Sequence, residues 1–213
     1  MTTFFVSLVK DCAGSLDPMK LRFNSCGQRD SNVRGFTLIE LLVTLTVAGI
    51  LVSVAVPSFN AFVLNDRDAA QANSLVYSLN YARSEAVKMN SSSGVTVCPS
   101  SDGQSCNNGN SWATGWIVFD TLPGQATPNI LQAIPPTSGT NTLNASGTGQ
   151  AGVQFTSSGL LAGPATALQI TICDTRGPSY ARDVEVNATG RVAASQNVGL
   201  SVAGAALVCP VIP

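Results

Sequence analysis

Glu40 is the single ionisable side chain in an apolar run that extends from Phe36 to Val56. As a helix, these 21 residues measure roughly 32 Å, enough to cross a bilayer. A carboxylate in such a span costs on the order of 2.5–3.5 kcal/mol, so it needs a reason to be there. The chemistry open to it is neutralisation of a buried cation, since pairing removes much of the cost of keeping either charge in lipid. The rival reading is a tolerated polar residue that snorkels to the interface.

Other reactive side chains are few. Four cysteines follow the run: Cys98, Cys106, Cys173 and Cys209. Two carboxylate pairs, Asp66/Asp68 and Asp183/Glu185, read most simply as solvated surface charges. The chain has no histidine, no Gly-rich phosphate loop and no G-x-S-x-G motif. No enzyme is expected, and no cofactor.

Cysteine placement follows compartment. Cys12 and Cys26 precede the apolar run, on a side that the cytoplasm keeps reduced, and the other four lie on the exported side. Four cysteines allow three pairings. Cys98–Cys106 and Cys173–Cys209 are the expected pairs, the first closing a small loop of Gly, Ser and Asn, the second pinning the C-terminal end. Zinc is the competing use of four cysteines. Without a C-x-x-C spacing or a histidine, no metal is expected.

Of the 213 residues, 45% are apolar and 11% are charged, against a usual charged share of about 25%. That balance suits a membrane stem followed by a β-rich extracytoplasmic domain. Lys10, Lys20, Arg22, Arg29 and Arg34 precede Gly35, and no cation follows until Arg67. Positive charge just ahead of a span holds that side in the cytoplasm and sends the rest outward. Beyond Gly35, six Lys/Arg face nine Asp/Glu, a net charge of −3, which makes a poor general binder of nucleic acid. The Gly35 junction lies ahead of the apolar run rather than after it as in a secretory signal, so the run is expected to be retained. Met1 and Met19 are both candidate starts.

Pro57 follows the run, yet helical periodicity resumes at once in Phe59, Phe62, Val63, Ala69, Ala72, Leu75, Val76, Leu79, Ala82, Ala86 and Met89. One long helix from about Phe36 to Met89 is expected, kinked near Pro57. Its second half should be amphipathic, with Asp66, Arg67, Asp68, Gln71, Asn80, Arg83 and Lys88 mostly on the outer face. After Asn90-Ser91-Ser92-Ser93-Gly94, short alternating runs predict strands at Val95–Cys98, Trp116–Phe119, Ile130–Ile134, Val153–Thr156, Ala167–Cys173, Arg182–Asn187 and Arg191–Ala194. Residues 136–152 read as a flexible loop or ragged edge strand. Trp112 and Trp116 fit core packing better than stacking on bases or sugars. The fold class is α+β, a long N-terminal helix on an antiparallel sheet or two packed sheets.

The order Gly35-Phe36-Thr37-Leu38-Ile39-Glu40 resembles the processing site of type IV prepilins and type II secretion pseudopilins. The resemblance implies cleavage after Gly35 and N-methylation of the Phe36 amine. Glycine before the bond leaves the backbone open to the processing enzyme. Glu40 would then neutralise the amine of a neighbouring subunit, or its own, and so set the register between subunits. Chance Gly-Phe in an uncleaved signal anchor is the bland alternative. The segment Trp112-Ala113-Thr114-Gly115-Trp116-Ile117-Val118-Phe119 resembles a strand of the GspH/FimT group of that superfamily. So do Cys173-Asp174-Thr175-Arg176-Gly177-Pro178 and Thr189-Gly190-Arg191-Val192, which look closer to FimT-type minor pilins than to secretion pseudopilins.

The implied organisation is a leader at 1–35, a transmembrane stem at 36–56, an amphipathic continuation at 57–89 and a periplasmic or extracellular domain at 90–213. Implied partners are other pilins or pseudopilins, the prepilin peptidase/methyltransferase and inner-membrane lipid. The implied place is the bacterial inner membrane, N-terminus inside, and then a pilus or pseudopilus. Some FimT-type pilins bind DNA through a Gly-Arg-x-Arg element. The corresponding residues here are Gly190-Arg191-Val192-Ala193, without the second arginine. Arg176 and Arg182 lie near in sequence, but Asp174, Asp183 and Glu185 balance the three arginines. A β-turn with a solvated arginine is favoured, and DNA contact through Arg176, Arg182 and Arg191 is the minority reading.

Overall fold

A helix with its own N-terminal cap begins the described part of the chain. The computed structural model describes residues 36–89, 94–121, 127–137 and 139–210; the expected leader, with Gly35, Cys12 and Cys26, lies outside them. Helix α1 spans Leu38–Met89. Thr37 stands just before it, and its Oγ1 accepts the Glu40 N–H at 3.3 Å. Thr37-x-x-Glu40 is thus a capping-box sequence in which the threonine satisfies an orphan donor of the first turn. Within the apolar stretch, the hydroxyls of Thr44, Thr46 and Ser53 donate to the carbonyls of Leu41, Val43 and Ile50 at 2.7–2.9 Å. Three polar side chains are thereby satisfied inside their own helix, as an apolar solvent requires. Pro57 lies within the helix without ending it.

Further along α1 the buried face opens later than the sequence pattern suggests. Phe59 and Phe62 are 64% and 66% exposed, whereas Asp68, Gln71, Ala72, Leu75, Ser78, Leu79, Ala82 and Ala86 are buried. Their spacing of three and four residues marks one face of the helix. Asp68 and Gln71, expected on the outer face, belong to the buried one. Polar partners reaching them from other elements make that burial tolerable.

Eight strands follow: β1 (Val95–Pro99), β2 (Trp116–Asp120), β3 (Asn129–Ile134), β4 (Thr142–Ser146), β5 (Val153–Phe155), β6 (Ala167–Cys173), β7 (Arg182–Asn187) and β8 (Val192–Ala194). They form two four-stranded sheets, ordered β3-β2-β1-β5 and β4-β6-β7-β8, with antiparallel neighbours throughout. β4 occupies the stretch read as a loop or ragged edge. It is an ordered edge strand whose Leu143 and Ala145 alternate into the core. The surrounding Thr, Asn and Ser hide that alternation in the sequence.

One core joins the helix to both sheets. Leu75, Leu79, Ala82 and Ala86 cluster with Val95, Val97, Val118 and Phe155 of the first sheet and Leu143, Leu168, Ile170, Ile172, Val184 and Val186 of the second. Burying a Leu, Ile, Val or Phe side chain contributes about 1.5–3 kcal/mol, so this interior outweighs any single polar contact. Trp112 and Trp116 are 0% and 1% exposed, and Trp112 Nε1 donates to the Gln150 carbonyl at 3.0 Å. Both are core residues rather than a stacking platform.

Candidate functional site

At the start of the helix, Phe36 and Glu40 are exposed, as are the large apolar side chains from Leu38 to Phe62. The helix is long and apolar enough to cross a membrane. Glu40 sits in its first turn, where a negative charge complements the positive end of the helix dipole. Among the described residues the Glu40 carboxylate has no hydrogen-bond or ion-pair partner, while its backbone N–H donates to Thr37 Oγ1. An exposed acid on an apolar rod is chemically fit to receive a cation from outside the chain. The Gly35 side of the expected scissile bond lies outside the described residues.

Further along the chain, a polar cluster fastens the C-terminal half of the domain to the helix. Arg176 Nε lies 2.6 Å from Asp174 Oδ2, and Nη2 forms ion pairs with Asp174 and Asp68. Its Nη1 donates to Asn65 Oδ1 at 2.8 Å and lies 3.5 Å from the Ala61 carbonyl. The guanidinium stacks 4.4 Å from the Tyr180 ring centroid. Locally, Asp174 Oδ1 accepts the Arg176 N–H at 2.8 Å, an Asx-turn that aims the arginine back at the helix. Asn141 Nδ2 donates to Asp68 Oδ1 and to Gln71 Oε1. Burial, reinforced by the Asp174 charge, pushes Asp68 up to about 6 against the pull of Arg176. Burial acts on Asp174 too, but the hydrogen bonds and charge of Arg176 prevail and hold it below the usual carboxylate value.

The three arginines considered for DNA are not brought together. Arg176 is spent on the clasp just described. Arg182 opens β7, half-buried, opposite Ile172. Arg191 lies past the other end of that strand, its carbonyl accepting the Asn187 N–H at 3.2 Å. Six residues of strand separate the two ends, roughly 17 Å of extended chain. The glycine of the Gly190-Arg191 pair has a structural reason of its own. It turns with φ +71°, and a Cβ there would strike the Gly159 carbonyl. Arg83 of the helix caps the same place, donating to the carbonyls of Gly159 and Thr189 at 3.0 and 3.4 Å.

Asp183, read from sequence as a solvated charge, is fully buried. Its Oδ2 accepts from Gln169 Nε2 at 3.2 Å and from the Val202 N–H at 3.3 Å. Burial first, and then neighbouring Glu185, push its carboxyl up to about 7. Period-two alternation along β7 sends Val184 and Val186 into the core and leaves Asp183 on the opposite face; the segment that follows β8 covers it there, which no local pattern announced. Disulfides join Cys98 to Cys106 and Cys173 to Cys209. The first closes the loop in which Asp102 accepts the backbone N–H groups of Gln104 and Ser105. These bonds hold Asp102 well below the usual carboxylate range.

No curated protein matches the chain in sequence. Two crystal structures of the type IV minor pilin FimU of Pseudomonas aeruginosa, in space groups P65 and P21, resemble it at 22% identity with TM-scores of 0.46 and 0.48. They cover 60% and 64% of this chain, and 91% and 98% of their own. Two family models match directly: the prokaryotic N-terminal methylation motif over residues 30–56 and the type II transport protein GspH over residues 71–190. The second spans more than half of the sequence, over the buried helix face and seven of the eight strands, and the chain therefore belongs to the GspH family.

Proposed function

We propose that this chain is a minor type IV pilin, a filament subunit rather than an enzyme. The observation that carries the reading is the Glu40 carboxylate, without a partner among the described residues, on an exposed apolar helix that lies under a methylation motif. In this reading the precursor enters the bacterial inner membrane with its N-terminus in the cytoplasm and its C-terminal domain in the periplasm. The prepilin peptidase cuts between Gly35 and Phe36 and methylates the new amine. Residues 36–56 form the transmembrane stem, 57–89 continue it, and 90–213 form the outward domain. Glu40 neutralises the Phe36 amine of a neighbour as stems pack, so that neither charge stays unpaired in a medium where an isolated charge is costly. The domain supplies contacts with other pilins and takes part in pilus assembly, with twitching motility, adhesion or transformation downstream.

A second reading is a minor pseudopilin of a type II secretion system, favoured by the description of the family that the domain matches. Both readings share processing and stem packing and differ in the neighbours. Crosslinking in cells, followed by identification of the crosslinked chains, separates them. Pilus subunits are expected. Secretion pseudopilins would select the second reading, and capture of neither would refute both.

A further inference from the structure

The last described segment is a hairpin with no part in the clasp or the stem. Ser201 N–H donates to the Ala205 carbonyl at 2.8 Å, and Leu207 N–H donates to the Gly199 carbonyl at 2.9 Å. Leu200 bridges Ala206 between them, and the same antiparallel register sets Val198 opposite Val208. Alternation then divides the hairpin into two faces. Leu207 is buried with Ala181 and the Cys173–Cys209 pair. Val198 and Val208, on the opposite face with Ala206, are 44% and 82% exposed. Val202, at the tip, is exposed as well. From Ser195 to Pro210 there is no charged residue. A staple and a buried leucine hold this apolar face outward, which does not fit a surface facing only water.

Its position says what covers it. Gly199 N–H donates to the Ala181 carbonyl at 2.7 Å, which seats the hairpin on the turn that carries Tyr180. Tyr180, itself 44% exposed, stacks on Arg176, and Arg176 reaches Ala61 and Asn65 of the helix. Those helix positions are where the apolar exposed surface stops: Phe59, Phe62 and Val63 are exposed, and Asn65, Asp66, Arg67 and Asp68 follow. Aromatic residues at such a boundary mark the headgroup layer.

We propose that the Val198–Val208 hairpin is a lipid-contacting foot, resting its Val198, Val202 and Val208 face in the headgroup layer beside the stem. The inference rests on the stem being membrane-embedded. The foot gives the domain a second point of contact with the bilayer and fixes its rotation about the stem before assembly.

The test uses the full chain in vesicles of phosphatidylethanolamine and phosphatidylglycerol, with quencher-labelled lipids and four single variants. L51W reports on the stem. V208W reports on the foot. V87W lies on an exposed helix position 24 residues beyond Val63, roughly 36 Å farther along the helix. Trp112 and Trp116 are buried and give a constant background. The foot predicts that headgroup-labelled lipid quenches V208W well above V87W, and that V198W, a second reporter on the same face, is quenched as V208W is. Quenching of L51W but of neither V198W nor V208W would show the hairpin facing water or protein and overturn the proposal. Absence of L51W quenching would refute the embedded stem itself and the foot with it.

Discussion

Arg176 and Asp68 are 108 residues apart in the chain, yet Nη2 of the first lies 3.4 Å from Oδ2 of the second. The pair ties the loop after β6 to the helix at the point where its buried face begins. Arg176→Ala would leave Asp68 and Asp174 without their cation. Removal of one partner of a buried pair typically costs 3–5 kcal/mol, and protonation of Asp68 should hold the loss to about 3 kcal/mol. Urea unfolding of the full chain in detergent would measure it. A loss no larger than that of an exposed arginine such as R191A would contradict the clasp.

The two disulfides should differ in weight. Cys173–Cys209 closes a separation of 36 residues and Cys98–Cys106 one of 8. On the chain-entropy model these contribute about 4 and about 2.5 kcal/mol respectively. The double variant C173S/C209S is therefore expected to unfold at lower denaturant than C98S/C106S. The reverse order would show that the hairpin and its staple are not part of the cooperative unit.

Asp183 sets a pH dependence with a definite sign. Its carboxyl is pushed up to about 7 from the ordinary 3.8. Between about pH 4 and 7 the folded chain keeps a proton that the unfolded chain has released, so this group's contribution to stability falls as pH rises through that window. Asp68, at about 6, acts in the same direction. D183N keeps an oxygen for the Val202 N–H and cannot ionise. Relative to the parent it should gain on the order of 1 kcal/mol, roughly 2–4 °C in Tm, between about pH 4 and pH 7.5. A difference independent of pH would contradict the assignment.

Glu40→Ala should separate processing from assembly. The variant is expected to lose its leader normally and to reach the sheared fibre fraction at least about tenfold less, because an unpaired amine is left in the stem bundle. Normal incorporation would remove the registry role.

Legibility followed periodicity. Seven strands and the helix were readable because alternation and three-four spacing record burial directly, and β4 was obscured only because Thr142, Asn144 and Ser146 flank its two apolar residues. What sequence could not show were groups whose environment comes from distant segments. Asp68 and Gln71 look like outer-face residues until Asn141 and Arg176 arrive from 73 and 108 residues away. Asp183 looks solvated until the hairpin after β8 covers it. The hairpin itself carries no charge and no strong β-branched run, so its alternation gives no clear strand signal. At the stem, Thr37-x-x-Glu40 carries the sequence pattern of a helix N-cap, and the structure uses its threonine half.

In the mature subunit a retained apolar helix should begin at Phe36, with a freed and methylated amine opposite Glu40. Intact-mass measurement of the protein purified from membranes addresses it in one step. The predicted mass is that of residues 36–213 with two disulfides and one added methyl group. A mass that still includes residues 1–35, or a soluble product lacking the apolar helix, would contradict the account.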